Sequence, residues 1–299
     1  MLLPPPSGSS APIGRVVVHL GARVRALTAN GEVELIPPKK ESWVVGDLLR
    51  LEPGRPPKLI ERVNMLSRSA VHGGKQQILA ANLDWLIVVA APGDALKTGL
   101  VDRFLVAASH AGIHAMIALN KIDLPGAGEA INELAVYRAY GYQVHPISAN
   151  TGEGIESFAA AIGQGVCALV GHSGVGKSSI FNRLAPEANR ATREIHHESG
   201  RGRHTTSVSL MAPLPGGGGL IDAPGVRQFV PSGLEPRDVA DHFPGFGPHM
   251  GGCKFRDCLH LTETGCAIRR AVDAGALDSA RYQSYQRLLE SSRESAPKW

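Results

Sequence analysis

The order of two short motifs most constrains the fold of this chain of 299 residues. A glycine-rich segment that ends in Lys177-Ser178 lies downstream of Asn120-Lys121-Ile122-Asp123, although a loop of this kind ordinarily opens its domain. Each segment directly follows an apolar run typical of a buried strand. We therefore predict a domain whose chain is cut and rejoined elsewhere, which is physically cheap because the termini of a compact domain usually lie close together.

The glycine-rich segment has the pattern Gly-x4-Gly-Lys-Ser. Val166–Val170 predicts a strand before it and Ser179–Leu184 the start of a helix after it, the context that a phosphate-binding P-loop requires. Backbone N–H groups would cradle phosphate oxygens, Lys177 would reach the β- and γ-phosphates, and Ser178 would hold Mg²⁺. A glycine-rich loop without a ligand is the alternative. The predicted phosphate-side residues are Gly171, His172, Ser173, Gly174, Val175, Gly176, Lys177, Ser178 and Ser179.

Asp222-Ala223-Pro224-Gly225 follows a second strand-like run, Gly219–Ile221. Asp222 would hold Mg²⁺ through water and the Gly225 N–H would contact the γ-phosphate. Alone, this motif more often marks a surface turn, but the P-loop upstream favours the nucleotide interpretation.

Two further segments predict a guanine site. Asn120–Asp123 ends the strand Ala115–Leu119, and an Asp carboxylate there would accept hydrogen bonds from the ring N–H and the exocyclic amine of guanine. Adenine lacks this donor pair and would leave the carboxylate unpaired, a strong basis for discrimination. Pro146–Ala149 ends the next strand and would present a backbone N–H to the base. The chain is thus predicted to bind GTP and GDP through Asn120, Lys121, Ile122, Asp123, Ser148 and Ala149.

The residue after Gly225 is Val226, where Ras-like proteins have the Gln that orients the attacking water. Slow intrinsic hydrolysis is expected unless another group enters the site. In Gly200–Thr206, either Thr205 or Thr206 would approach Mg²⁺ and the γ-phosphate. His204 could position the water, although a solvated loop histidine is about as consistent with the sequence.

Cys253, Cys258, His260 and Cys266 fall within fourteen positions. Thiolates and an imidazole at this spacing suit a closed tetrahedral Zn²⁺ site. Disulfides are the alternative, but the only apolar run at the N-terminus is too short for a secretory segment, so reduced thiols are expected. We predict one structural Zn²⁺, since four protein ligands leave no open position. Cys167, in the strand before the P-loop, is predicted to be a core residue.

The flanking regions differ from the centre. Residues 1–12 are rich in Pro and Ser and predict a disordered tail. Short alternating runs from Gly14 to about Met65, with a turn at Asn30-Gly31 and a strand pair in Trp43–Leu51, predict a five-stranded barrel that binds RNA or is purely structural. Alternating strands and helices from Asp84 to Val226 predict a mostly parallel sheet covered on both faces. The final helix is predicted to turn Tyr282, Tyr285, Leu288 and Leu289 towards a core.

The net charge is only +4 and the pI is near 8.9, which indicates a mild preference for polyanionic partners. No apolar stretch approaches membrane-spanning length, so a cytoplasmic protein without membrane contact is expected. The basic residues are nevertheless clustered, and beside a barrel and a zinc module we interpret them as contacts to RNA phosphates. They are Arg190, Arg193, Arg201 and Arg203, and, around the cysteines, Lys254, Arg256, Arg269 and Arg270.

Together the motif order, Gly202–Thr206, Asp222–Gly225 with an apolar residue next, and the cysteine cluster resemble the bacterial ribosome small-subunit-dependent GTPase A family. The resemblance covers the chain from about Gly14 to the last helix. It implies an N-terminal OB-fold β-barrel (13–68), a circularly permuted α/β P-loop GTPase domain (72–232) and a mostly helical zinc-binding domain (233–299). It further implies an assembly factor stimulated by the small subunit, with His204 as the suspected catalytic residue. Ala223 departs from the usual Thr.

Two function classes remain at this point. The first is a GTPase that assists late maturation of the small ribosomal subunit, as a monomer that contacts rRNA and other assembly factors. The second is a ribosome-independent, GTP-regulated RNA-binding protein. A metabolic P-loop kinase is a distant third, because Asn120–Asp123 would have no purpose there.

Overall fold

The computed structural model describes residues 12–68, 77–188, 209–222 and 234–295. The predicted tail lies almost wholly outside these residues. Five antiparallel strands come first, in the spatial order β3-β2-β1-β4-β5. They enclose a small core that includes Val16, Val24 and Leu49, as in a partly open OB-type barrel. Their bounds are β1 (Ile13–His19), β2 (Val24–Thr28), β3 (Gly31–Leu35), β4 (Leu48–Arg50) and β5 (Lys58–Leu59).

The strand pair predicted in Trp43–Leu51 is wrong, because only Leu48–Arg50 of that run is a strand. The Asp47 carboxylate accepts the Val44 N–H at 2.7 Å, and Gly46 has a φ of +96° that favours a turn. Arg62 pairs with the buried Asp47 at 2.6 Å. The apolar run is therefore a buried turn, whose Trp43 ring joins the barrel core.

A large sheet follows, in the order β10-β9-β8-β11-β13-β12. Neighbours from β10 to β13 are parallel and β12 is antiparallel, and β12 also pairs with β1, so barrel and sheet are continuous. The predicted mostly parallel sheet is confirmed. A separate hairpin of β6 (Met65–Arg68) and β7 (Gln77–Ala81) precedes β8 (Trp85–Ala90), β9 (His114–Leu119), β10 (Gln143–Pro146), β11 (Val166–Gly171), β12 (Ser209–Pro213) and β13 (Gly219–Asp222).

Helices cover both faces of this sheet. One apolar cluster includes Phe104 and Leu134, from α1 and α2, and the other includes Phe158 and Phe181, from α3 and α4. Because the βα units place the carboxyl ends of β8, β9, β10 and β11 at one edge, the loops after these strands meet there. The helices are α1 (Thr98–His110), α2 (Ala127–Ala139), α3 (Ile155–Ile162) and α4 (Lys177–Leu184).

In residues 234–295 the structure contains helices and loops but no strand, as predicted. Tyr285, Leu288 and Leu289 are buried and face the core of this region, which confirms the predicted stripe. None of the helices in the described parts of the chain is long and apolar enough to cross a membrane. The helices are α5 (Pro236–Asp241), α6 (Ala267–Asp273) and α7 (Ser279–Ser295).

A buried polar junction joins α7 to the central domain. The Asp102 carboxylate, on α1, accepts hydrogen bonds from Tyr137 Oη at 2.7 Å, from Ser284 Oγ at 2.6 Å and from the Arg281 guanidinium. That guanidinium also lies 4.8 Å over the Tyr137 ring and 5.0 Å over the Phe243 ring. Its charge is therefore paired and stacked although the side chain is only 8% exposed.

Candidate functional site: a nucleotide loop and a cysteine cluster

The P-loop lies where β11 turns into α4. Gly171, Gly174 and Gly176 have φ values of 142°, 83° and 97°, which residues with a Cβ rarely adopt. A Cβ on Gly171 would also lie 2.3 Å from Val89 O. Lys177 Nζ donates to Gly171 O at 2.8 Å and to His172 O at 2.6 Å, so its ammonium group is held over the loop. This cradle fits a phosphate chain.

The Asn120 side chain connects this loop to the base-side segments. Its Nδ2 donates to Val175 O at 2.9 Å, and its Oδ1 accepts from Ala149 N at 2.9 Å. A Cβ on Gly176 would lie 2.2 Å from Asn120 Nδ2, which explains the glycine there. One buried amide thus brings together three segments that are separate in the sequence.

The Asp123 carboxylate is exposed, and two neighbouring side chains contact it. Ser148 Oγ donates to its Oδ1 at 2.6 Å, and Asn150 Nδ2 lies 3.4 Å from its Oδ2. The hydrogen bond from Ser148 is the main reason that the pKa of Asp123 lies below its usual value. The carboxylate is therefore ionised at neutral pH, as pairing with two guanine donors requires.

The remaining nucleotide-side residues divide into two groups. Asp222 ends β13, which is parallel to β11, so it lies at the same edge of the sheet as the P-loop. Ser178 and Ser179 are exposed in the first turn of α4. The other predicted residues, His204, Thr205, Thr206 and Gly225, lie outside the described residues, as do Ala223 and Val226.

The cysteine cluster is a compact group of four potential ligands. One ligand atom each from Cys253, Cys258, His260 and Cys266 lies within 4.8 Å of all the others. His260 Nδ1 is 3.5 Å from Cys253 Sγ and 3.4 Å from Cys266 Sγ. Zinc bonds of about 2.3 Å to sulfur and about 2.0 Å to nitrogen would separate N from S by about 3.5 Å at tetrahedral angles. The donor set fits a divalent metal.

The surroundings of the cluster hold its loops in place. Tyr282 Oη donates to His260 O at 2.5 Å and Tyr285 Oη to Leu259 O at 2.7 Å. Burial raises the pKa of the Cys258 thiol to about 12, so a bound cation is what would favour its thiolate form. Burial lowers the pKa of His260, which favours the neutral imidazole that binds metals.

Sequence reasoning missed two supporting residues. Asn150 lies beside Asp123, and the Glu263 carboxylate accepts the N–H groups of Leu259, Leu261 and Thr262 at 2.8–3.0 Å. The position of Glu263 between His260 and Cys266 could have indicated its role, since a short loop needs an acceptor for its N–H groups. Cys167 is fully buried in β11, as predicted.

Comparisons with known proteins agree with this arrangement. A family model described as RsgA GTPase matches residues 59–231. The small ribosomal subunit biogenesis GTPase RsgA of Actinobacillus succinogenes is 43% identical over 236 residues, or 78% of this chain and 68% of that protein. The protein of the same name from Haemophilus influenzae is 42% identical over the same shares.

Two crystal structures share the fold. YjeQ from Thermotoga maritima has a TM-score of 0.75 at 24% identity, covering 94% of this chain and 98% of that one. YloQ, described as a circularly permuted GTPase, has a TM-score of 0.72 at 23% identity, covering 99% of this chain and 100% of that one. The predicted multidomain, permuted fold is thereby confirmed. Because the family model covers more than half of the chain, the protein belongs to the RsgA GTPase family and hydrolyses GTP.

Proposed function

We propose that this GTPase assists late maturation of the small ribosomal subunit and that docking on the subunit stimulates its slow GTP hydrolysis. The observation that supports it best is the Asn120 amide, which bonds to both Val175 of the glycine-rich loop and Ala149, as a site for a guanine nucleotide would require. The curated relatives are named for biogenesis of that subunit, which supports the choice of partner.

In the proposed mechanism Asp123 selects guanine and Lys177 binds the β- and γ-phosphates. The Lys177 ammonium already donates to two carbonyl oxygens, so it can exchange these for phosphate oxygens with little reorganisation. Ser178 and Asp222 are the residues that would hold Mg²⁺, which neutralises charge on the phosphates.

The residue after Gly225 cannot position the hydrolytic water, because the side chain of Val226 neither donates nor accepts a hydrogen bond. We therefore assign the water to His204, with Thr205 or Thr206 near Mg²⁺ and the γ-phosphate and the Gly225 N–H on that phosphate. These roles rest on the sequence pattern and on the resemblance of Gly202–Thr206 to the family motif.

The cysteine cluster is proposed to hold one structural Zn²⁺. With Cys253, Cys258, His260 and Cys266 as ligands, no position stays open for substrate, so its role is to shape the C-terminal region. We propose domain limits of 13–68, 72–232 and 233–299. The protein is further proposed to act in the cytoplasm as a monomer, in contact with rRNA and with other assembly factors.

The test compares GTP turnover by the protein alone, with purified small subunits and with bulk RNA. Alone, the rate should be about 10⁻⁴–10⁻² s⁻¹ or below, as for unassisted GTPases. Small subunits should raise it, less so at higher salt because phosphate contacts weaken. His204→Ala should remove most of the stimulation but leave GTP affinity unchanged, as expected of a group used only in the transition state. Equal stimulation by bulk RNA would instead support a ribosome-independent RNA-binding GTPase.

A further inference from the structure

Phe255 is an aromatic side chain that the C-terminal core leaves outside. Its side chain is 45% exposed, whereas Phe243 and Phe246 of the same region are buried. It lies in the four-residue loop 254–257, which begins after Cys253 and ends before Cys258. Both cysteines that flank the loop contribute ligand atoms to the cluster, so the loop is anchored at its two ends while the ring stays outside the core.

Several hydrogen bonds hold the start of the loop in place. Lys254 N donates to Gly265 O at 3.1 Å, and Ala267 N donates to Cys253 Sγ at 3.3 Å. The Arg270 guanidinium bonds to Gly265 O at 3.2 Å and to Gly252 O at 3.0 Å, so it links the residue before Cys253 to the residue that pairs with Lys254. Little conformational entropy would be lost when a ligand contacts a ring on such a support.

Positively charged residues flank Phe255 in the sequence. Lys254 Nζ lies over one face of the Phe255 ring, 5.5 Å from its centroid, and Arg256 is exposed on the other side of Phe255 in the sequence. Arg269, in the first turn of α6, is also exposed. Within the loop itself two cations, Lys254 and Arg256, stand against one acidic residue, Asp257, so the loop has a net positive charge. An apolar ring beside these charges suits a ligand that has both a flat face and negative charge.

We infer that Phe255 is a base-stacking residue for single-stranded RNA, with Lys254, Arg256 and Arg269 contacting the adjacent phosphates. Single-strand binding sites combine an aromatic platform with cations in this way. Paired bases within an A-form helix are stacked on one another and would not offer a face to the ring, so the ligand is an unpaired nucleotide. The inference rests on the proposed contact with rRNA and goes further, since it names the RNA conformation and the side chain that recognises it.

The experiment measures binding of a short, unstructured RNA oligonucleotide containing a fluorescent purine analogue to the full chain, and repeats it with the matching duplex. Phe255→Ala should weaken single-strand binding by roughly 5- to 150-fold, the loss of one stacked base, and quenching of the analogue should disappear. Phe255→Trp should retain both. Duplex binding, metal content and GTP turnover without RNA should not change in either variant.

Phe255→Leu is the matched control, because it keeps an apolar side chain but removes the aromatic face. Stacking predicts that it behaves like Phe255→Ala. If Phe255→Leu binds small subunits as well as Phe255→Trp does, the ring is an apolar contact to protein and the inference is wrong. It is also wrong if Phe255→Ala binds the oligonucleotide like the unmodified chain. Failure of the unmodified chain to bind small subunits would overturn the proposed function. The oligonucleotide binding measurements would still decide the role of Phe255 in that case.

Discussion

At the scale of single residues, His242 shows how burial sets a protonation state. Its Nδ1 lies 2.9 Å from Ser109 Oγ, and its ring packs edge-on against His110 with centroids 5.3 Å apart. Burial lowers the pKa of His242, His110 lowers it further, and Asp238 and Asp241 act in the opposite direction. The neutral form is thus favoured where α1 meets the loop after α5.

This lowered pKa predicts a pH dependence of stability. The unfolded chain would take up a proton on His242 near its ordinary pKa of about 6.5, above the folded value. The free energy of unfolding should therefore decrease as pH falls from about 6.5 towards the folded pKa. Urea unfolding over this range should show a smaller decrease for His242→Gln. An unchanged slope would mean that His242 titrates alike in the folded and unfolded states.

At the scale of elements, the segment 253–266, which contains the four potential metal ligands, has an uncommon backbone. Its backbone includes His260 at a φ of +59°, an uncommon conformation for a residue with a Cβ. Tyr282 and Tyr285 of α7 bind the carbonyl oxygens around it, so the order of the loop and the packing of the helix are linked.

Removal of the metal should therefore unfold the C-terminal region first. Elemental analysis should find close to one zinc per chain. Chelation should lower the melting temperature of that region but leave GDP affinity largely intact, because no ligand of the cluster belongs to the nucleotide loops. The Cys167→Ser variant is the control for a cysteine outside the cluster and should keep its zinc. A chelated protein with an unchanged melting profile would show that the cluster is not a structural metal site.

Much of this architecture was predictable because its causes are local. Strands such as Trp85–Ala90 follow from apolar runs, and the ligand set follows from the spacing of cysteines and histidine. Two features were not predictable. The pairing of β1 with β12 joins segments about 190 positions apart, and no local pattern encodes it. The turn at Gly46 is not encoded by the apolar pattern, because it depends on the Asp47 side chain, which accepts the Val44 N–H, and on Arg62 from outside the run, which binds the Asp47 carboxylate.

At the scale of the whole molecule, two of the connections among the described residues show how the regions are held together. The first is the continuous sheet through β12 and β1. The second is the junction at Asp102, which is fully buried and 179 positions from Arg281 in the sequence. An ion pair of this kind is costly to break, because the Asp102 carboxylate would stay buried without an opposite charge, with only the hydroxyl groups of Tyr137 and Ser284 as hydrogen-bond partners.

Arg281→Ala should accordingly lower the free energy of unfolding by about 3–5 kcal/mol. Arg23→Ala is the control, since Arg23 pairs with Glu34 at 2.7 Å but both side chains are exposed, and its loss should cost about 1 kcal/mol or less. Urea unfolding of both variants measures the difference. A similar decrease in the free energy of unfolding of the two variants would show that the buried junction stabilises the protein no more than a surface ion pair does.

The permuted chain brings the phosphate loop and the base-side loops to one edge of the sheet, where Asn120 contacts Val175, 55 positions away. Nucleotide titration tests this arrangement most directly. The unmodified protein should bind GDP far more tightly than ADP. Asp123→Asn should weaken GDP binding by about 1–3 kcal/mol. It should also strengthen binding of xanthosine diphosphate, because the new amide can donate to the xanthine carbonyl that replaces the guanine amine. Equal affinity of the unmodified protein for GDP and ADP, or unchanged selectivity in Asp123→Asn, would contradict the guanine site described for this chain.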